Sequence, residues 1–361
     1  MAPGVAGNFT ISEQSNHYAI RIWLLCIAAL VILMVAVGGA TRLTDSGLSI
    51  TEWKPILGVI PPLNDADWQI AFDKYKHIPE YSQVNHGMSL AEFKFIFWWE
   101  WAHRFLGRLI GVAFALPLVI FWLRGAIPQG YHLRLVALLA LGGLQGFIGW
   151  YMVQSGLTER VDVSQYRLAL HLCMAFLILG LVLWTWSELH EHDTIYFNNL
   201  PSATWMIACA LTVLIFAQVA LGAFVAGTKA GLVFNTWPLM DGQFLPEGLY
   251  VSQPWFTSLF EDHLTIQFNH RTMAYIIIAI AIAQTIRVAH VDNDRVAWSA
   301  HLLTALLIMQ SALGIWTLLA SVDSIPVVLG VAHQTLAAIV FSACVLHLHA
   351  VWQAYTTARI G

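Results

Sequence analysis

Eight long apolar stretches recur along this chain of 361 residues, and they limit it to folds that a lipid bilayer can hold. Each is close to the roughly 20 apolar residues that a helix needs to cross a bilayer. Hydrophobic residues make up 58% of the sequence and charged residues only 11%, unlike a soluble globular domain. We therefore predict an all-α integral membrane protein with eight transmembrane helices, at residues 20–40, 95–123, 133–154, 166–187, 204–227, 264–287, 297–319 and 326–351.

An internal repeat relates the first four stretches to the last four. GLSITEWKPILGVIPP (47–62) follows the first stretch and GLVFNTWPLMDGQFLPE (231–247) follows the fifth, with Gly-Leu, Trp, Pro and Gly shared in order. LQGFIGWY (144–151) in the third stretch matches MQSALGIW (309–316) in the seventh. Weak internal similarity of this kind is typical of membrane proteins built from repeats.

The repeat predicts the domain organisation. We expect two tandem four-helix bundles related by pseudo-two-fold symmetry, with residues 1–195 in the N-terminal half and 196–361 in the C-terminal half. Both halves begin and end on the same side of the membrane, so the repeat is parallel. The register of the third and seventh stretches pairs these residues: Gln145 with Gln310, and Gly149 with Gly314.

Four histidines follow the same repeat. His103 and His270 lie early in the second and sixth stretches, each followed by arginine, and His171 and His333 lie early in the fourth and eighth. The copies are separated by 167 and 162 residues. An ionisable residue at membrane depth is costly and indicates a functional site. Because these four helices run in the same direction, the imidazoles are expected at one depth, roughly 10 Å below the non-cytoplasmic surface.

Two facing imidazoles at equal depth suit a haem, because histidine is an axial haem ligand and helical bundles hold cofactors between facing helices. Arg104, Arg108 and Arg271 lie near the same surface and are candidates to bind haem propionates, since guanidinium groups suit carboxylates. Core histidines that hydrogen-bond across helices are the structural alternative. Copper or zinc is a weaker one, because each pair offers too few protein ligands.

The remaining histidines and the cysteines have no partner in this pattern. The four cysteines lie inside apolar stretches without a CxxC motif, so we expect small core residues rather than disulfides, zinc or covalent haem. The histidines in question lie in loops or at the ends of stretches, and we predict surface or interfacial positions for them. They are His17, His77, His86, His132, His190, His192, His263, His290, His301, His347 and His349.

The two copies differ beside the first histidine of each half. EWAHR (100–104) carries Glu100 where QFNHR (267–271) carries Gln267. Residues i and i+3 share a helix face, so Glu100 is expected beside the first haem, where an apolar setting would fit it for proton transfer. An ion pair with Arg104 or Arg108 is an alternative that is compatible with this role. The asymmetry favours a reaction in the N-terminal half and a structural or electron-transferring haem in the C-terminal half.

Two longer segments carry a resemblance to a known family. GGATRLTDSGLSITEWKPILGVIPPL (38–63) and PEYSQVNHGMSLAEFKFIFWWEWAHRFLGR (79–108), together with the later histidines, resemble the haem A synthases of proteobacteria and mitochondria. The loop at 42–93 lacks the cysteine pair of the Gram-positive branch. The resemblance implies oxidation of a methyl substituent of haem O to the formyl group of haem A, by successive hydroxylations, for cytochrome oxidase assembly.

The same resemblance implies roles for individual residues. His270 and His333 would ligate a permanent haem b, whereas His103 and His171 would receive the substrate haem O, with Glu100 essential nearby. The partners to consider are haem O, membrane lipid, haem O synthase and an electron donor that the sequence does not identify. A homo-oligomer is left open, and no basic patch suggests nucleic acid. A di-haem b membrane electron carrier is the alternative function, and it would need no acid in one copy only.

Basic residues indicate how the chain sits in the membrane. With eight spans both termini lie on one side, and the short connections on that side contain Arg124, Arg134, Arg287 and Arg295. The opposite side also carries basic residues, namely Arg160, Arg167 and Lys229, so the bias is moderate. This bias favours cytoplasmic termini, and the family resemblance implies a multi-pass protein of the bacterial inner (plasma) membrane.

The 42–93 loop is rich in aromatic residues, with Trp53, Trp68, Tyr75 and Tyr81 among prolines and charges. We expect it to pack over the outer mouth of the haem sites. An aromatic belt at the membrane interface is the alternative.

Overall fold

The computed structural model describes residues 11–54, 57–158, 160–190 and 200–360, and most of these residues are helical. Within these ranges eight helices are long and apolar enough to cross a membrane, which confirms the predicted all-α fold with eight spans. They are α1 (Ile11–Leu43), α2 (Leu90–Leu123), α3 (His132–Thr158), α4 (Gln165–Glu188), α5 (Ser202–Thr228), α6 (His263–Val288), α7 (Asp294–Ala320) and α8 (Val327–Ile360).

Side-chain caps set where several of these helices begin. Ser89 and Glu92 form a capping box at the start of α2, in which each side chain bonds the main-chain N–H of the other. Asp262 and Asn293 are the N-cap residues of α6 and α7. Each side chain accepts a hydrogen bond from a main-chain N–H in the first turn of its helix. Such caps satisfy the N–H groups that have no partner inside a helix. The starts of α2 and α6, which carry His103 and His270, are therefore set by residues that are close to them in sequence.

Helices α1, α4, α5 and α8 pack against one another and join the two halves of the chain. The ring of Phe341 on α8 lies 5.5 Å from that of Phe176 on α4 and 5.9 Å from that of Phe216 on α5. Gln334 on α8 donates to the carbonyl of Val35 on α1 at 2.8 Å. The other four helices attach to these: α2 to α1, α3 to α4, α6 to α5 and α7 to α8. The division at residue 195 and the pseudo-two-fold relation stay predictions.

The long outer loop between α1 and α2 has a core of its own. It contains two short helices: Asp65–Tyr75 packs against the start of α2, and Pro79–Gln83 packs against α3. The ring of Trp68 lies 4.9 Å from that of Phe97, and Tyr75 is fully buried. Trp53 is 45% exposed. Trp68 and Tyr75 are thus core residues of this outer lobe, which we define as residues 65–97, and are not part of an interfacial belt.

Three of the predictions on single residues are wrong: those for His347, His349 and Cys26. His347 and His349 are fully buried, because α8 continues to Ile360 and places both inside the helix packing. Ser299 and Gln284 bond the two ring nitrogens of His347 at 2.8 and 3.2 Å. Among the cysteines Cys344 is buried, Cys173 and Cys209 are partly buried, and Cys26 is exposed on the outside of α1. His192 lies outside the described residues.

Candidate functional site

Each of the four repeat histidines packs against a glycine on the preceding helix. A Cβ atom at that glycine would approach Cε1 of the imidazole to about 3 Å, closer than real Cβ contacts normally come. The pairs and their distances are Gly38 with His103 at 2.8 Å, Gly149 with His171 at 2.9 Å, Gly222 with His270 at 3.2 Å and Gly314 with His333 at 2.7 Å. The glycines therefore make the space that the imidazoles occupy.

The histidines come together in two pairs, one in each half. His103 lies within electrostatic range of His171, and His270 within range of His333. Nδ1 of His103, His171 and His270 is buried without a hydrogen-bond partner in the described part of the chain. A buried polar atom without a partner is rare unless something outside the chain completes its surroundings. At these three histidines the ring therefore has a nitrogen that a ligand outside the chain could engage.

The donor set of each pair fits a haem. Among the described residues no group of three or more His, Cys, Asp or Glu side chains is placed to hold a metal ion. Two imidazoles alone leave most coordination positions of a transition metal unfilled, and the four pyrrole nitrogens of a haem supply the remainder. The glycines that face each imidazole also keep bulk away from the ring edge.

Three of the four histidine turns are tied to the preceding helix by a glutamine amide. Its Nε2 donates to the main-chain carbonyl of the histidine, which still has a free lone pair inside a helix. The three bonds are Gln145 to His171 at 3.0 Å, Gln218 to His270 at 2.9 Å and Gln310 to His333 at 3.0 Å. Gln310 also lies 3.1 Å from Nδ1 of His333.

The sequence repeat pairs Gln145 with Gln310 but does not indicate what they bond, and sequence reasoning missed Gln218, Gly38 and Gly222. The internal repeat does contain the information needed to find Gly38 and Gly222. Gly47 and Gly231 begin the matching motifs after α1 and α5, and the same offset of 184 residues carries Gly38 onto Gly222. Extending the repeat backwards into the apolar helices would have found both glycines, but apolar helices resemble one another too closely for the match to stand out.

Glu100 is 3% exposed and its carboxylate is surrounded by donors. Oε2 accepts from Ser49 Oγ and from the main-chain N–H of Ile50, both at 2.7 Å, and Oε1 accepts from Arg104 at 2.6 Å. These three charge-assisted hydrogen bonds stabilise the ionised carboxylate. The ion pair that the sequence offered as an alternative is therefore present, and the surroundings are polar where an apolar setting was expected.

The arginines near the histidines hold main-chain carbonyls of the outer loops. Arg104 donates to Glu52 and Ile50, and Arg108 donates to Lys54. Arg271 donates to the carbonyl of Phe234 at 2.9 Å and to Gln267 Oε1 at 2.9 Å. Its Nε and Nη1 are buried and have no hydrogen-bond partner within the described ranges. Arg271 thus retains donors for a further anion, as a propionate site requires.

An aromatic cavity lies against Arg271. Its volume is about 260 Å³, and its walls include Trp237, Pro238, Phe268 and Tyr275. Trp237 Nε1 donates to the hydroxyl of Tyr275 at 3.0 Å and fixes one wall. The guanidinium of Arg271 thus borders a cavity with aromatic walls.

These features define a class of protein: a multi-pass helical membrane protein with two half-buried histidine pairs, each of which fits a haem. Comparison with known families narrows this further. The family described as COX15-CtaA, cytochrome oxidase assembly protein, matches residues 21–345. The chain belongs to this family.

Curated relatives match almost the whole chain. A protein of Parvibaculum lavamentivorans named "Heme A synthase" is 49% identical over 93% of this chain and 95% of its own length. Proteins with the same name from Chelativorans sp. and Brucella ovis are 48% and 46% identical, over 97% and 98% of this chain and 96% and 97% of their own lengths.

Proposed function

We propose that this protein is a haem A synthase, an oxidoreductase that converts a methyl substituent of haem O into the formyl group of haem A by successive hydroxylations. The name shared by relatives that cover nearly the whole chain supports this activity. The observation that carries the proposal within this chain is the difference between its two histidine pairs. Both pairs fit a haem, but only the N-terminal pair has an acid, Glu100, three residues before its first histidine.

The two halves are assigned different tasks. His103 and His171 receive haem O as substrate, and His270 and His333 hold a resident haem b, with Arg271 available to a propionate. The glutamines that tie both C-terminal histidine turns, Gln218 and Gln310, suit a cofactor that stays bound.

Bound haem iron, together with dioxygen and electrons from outside, supplies the oxidising chemistry, and the chain supplies position and charge. Gly38 and Gly149 pack closely against the imidazoles of His103 and His171 and so limit where these rings can lie. Glu100, three residues before His103 on the same helix, is the acid that we assign to accept or return a proton in the N-terminal half. Arg104 holds the Glu100 carboxylate and the loop carbonyl of Ile50 together, which orders the outer side of the site.

The remaining assignments follow the family and the helix count. We place the chain in the bacterial inner membrane with cytoplasmic termini, with lipid around the eight helices and haem O synthase as the source of substrate. The N-terminal half is residues 1–195 and the C-terminal half 196–361. The electron donor is a separate component.

Haem analysis of the purified protein tests the activity. The chain is expressed in a host that makes haem O, and the extracted haems are separated by chromatography. We expect haem b together with haem O or haem A. Two stoichiometric haem b groups, with neither haem O nor haem A, would overturn the proposal and favour a di-haem electron carrier.

Glu100 is tested with Glu100→Gln and with Ser49→Ala as a matched control. Both changes remove contacts from one hydrogen-bonded group, but only the first removes the acid. Positioned acid–base groups contribute on the order of 10² in rate or more. Glu100→Gln should therefore abolish haem A formation and keep the haem b spectrum, whereas Ser49→Ala should keep most activity. Equal loss in both variants would show that Glu100 only anchors the loop.

A further inference from the structure

The N-terminal histidine His103 differs from the other three in how its helix turn is held. No side chain in the described part of the chain donates to the main-chain carbonyl of His103, whereas a glutamine amide does so at the other three histidines. The offset of 184 residues that carries Gly38 onto Gly222 also carries Met34 onto Gln218. Met34 therefore occupies the position in α1 that Gln218 occupies in α5, and it has no amide group.

The geometry supports this correspondence independently of the sequence. Gly38 and Gly222 each pack against the first histidine of their half, so α1 and α5 present the same face to α2 and α6. Met34 lies one turn before Gly38, and its Cε is 3.4 Å from where a Cβ of Gly107 would stand. Gly107 is one turn after His103, so the Met34 side chain extends along the same part of α2 that the Gln218 amide reaches on α6.

The bonds that do join α1 to α2 lie away from the histidine. Thr41 bonds the carbonyl of Trp99 at 3.3 Å on the outer side, and Trp23 bonds that of Ala113 at 2.8 Å on the inner side. Between them the contact at Met34 is apolar and flexible, because a thioether has no donor and methionine has three rotatable bonds. Glu100 and Arg104, in the same turn as His103, are held by the loop after α1, but in the described part of the chain the carbonyl of His103 itself receives no side-chain donor.

We propose that Met34 is a positioning residue that keeps the N-terminal haem exchangeable by leaving the His103 turn without the amide tie that Gln218 gives His270. This rests on the proposed function, in which the N-terminal pair must admit a substrate haem and release a product haem. The C-terminal pair has amide ties at both histidines and retains its haem. Met34 thus determines how long the N-terminal haem stays bound, whereas His103 and His171 are the ligands of its iron.

The size of the effect follows from one hydrogen bond. A net hydrogen bond in a protein contributes about 0.5–1.5 kcal/mol, and about 1.4 kcal/mol corresponds to a tenfold change. Met34→Gln is expected to slow haem release from the N-terminal site about twofold to tenfold. The reciprocal change, Gln218→Met, is expected to speed haem release from the C-terminal site by about the same factor.

The test measures haem transfer from the purified full-length protein to excess apomyoglobin, without dioxygen or reductant so that no haem is converted. Release is followed by the absorbance of the acceptor, and the haem types left behind are identified by chromatography. Met34→Leu is the matched control, because it keeps an apolar side chain of similar volume without a donor. We expect slower release in Met34→Gln, wild-type release in Met34→Leu and faster haem b release in Gln218→Met.

Wild-type release in Met34→Gln, or equal slowing in Met34→Leu, would overturn the role of Met34. If Met34→Gln assembles without haem, the Gln218→Met rate alone decides, and an unchanged rate refutes the inference. Failure of the proposed function has a different signature. Haem b in both halves would refute haem A synthesis, yet the Met34→Gln and Gln218→Met rates would still show whether the amide sets residence time.

Discussion

Replacing Gly149 by alanine tests how closely the histidine helices are packed. The new methyl carbon would lie 2.9 Å from Cε1 of His171 and 3.5 Å from its Nδ1. Carbon atoms in contact normally lie about 3.5–4.0 Å apart, so the imidazole or its helix must move by at least about 0.6 Å. Functional groups need to be held within about 0.5 Å of their productive positions, and a displacement of about 1 Å can cost on the order of 10² in rate. We expect at least about a tenfold loss of haem O conversion.

The same helix provides the control for this substitution. A Cβ at Gly146, on α3 like Gly149, would meet nothing within 4 Å. Gly146→Ala should therefore keep wild-type conversion and gain up to about 1 kcal/mol from helix propensity. Conversion is measured by chromatography of extracted haems, and stability by thermal unfolding in detergent. Full conversion and normal haem content in Gly149→Ala would refute the packing argument, as would equal damage in Gly146→Ala.

Two further predictions concern the histidine pairs and the outer lobe. His270→Ala should lose most of the low-spin haem signal in electron paramagnetic resonance, whereas His103→Ala should spare it, and equal loss would contradict the division of tasks. Burial, with smaller contributions from the carboxylates of Asp45 and Glu100, raises the pKa of Glu80 from 4.5 to about 8. The folded lobe therefore binds this proton more tightly than the unfolded lobe, so stability falls as pH rises from about 4.5 to about 8. Proteolysis of the outer loop at about pH 5 and about pH 8.5 should show this difference in the wild type and lose it in Glu80→Gln; an unchanged difference would contradict it.

The helices could be predicted because lipid leaves few options: each span must be apolar, long and helical. Their ends were less accurate. Helix α2 begins at Leu90, before the predicted start at 95, because the capping box of Ser89 and Glu92 starts it outside the apolar stretch. The helices of the outer lobe were not predicted, since hydropathy does not report the contact of Trp68 with the start of α2.

The histidines of the candidate site could be predicted because an ionisable group at membrane depth is conspicuous and the repeat selects four of them. The residues that pack against these histidines were harder to predict. A glycine that makes room for an imidazole, or a methionine in place of a glutamine, does not stand out from the other small and apolar residues of a membrane helix. Gly38 and Met34 acquire meaning only when α1 is compared with α5 and the contacts with His103 and Gly107 are known.

The loops after α1 and α5 show that the acid at position 100 is matched by its surroundings. In the C-terminal half the main-chain N–H of Phe234 bonds the carbonyl of Ala230 within the loop, and Gln267 donates to that same carbonyl. In the N-terminal half the equivalent N–H, that of Ile50, donates to Glu100 instead, and Ser49 adds a second donor to the same oxygen.

A glutamine at position 100 has only one acceptor oxygen. That oxygen could accept either from Ser49 and Ile50 or from Arg104, and its NH₂ group would then face the donors on the other side. Conversely, a carboxylate at position 267 would face the carbonyl of Ala230 and lose the bond that the Gln267 amide makes. Each loop is therefore matched to its own residue: at position 100 the side chain accepts from the N–H of Ile50 and the hydroxyl of Ser49, whereas at position 267 it donates to the carbonyl of Ala230.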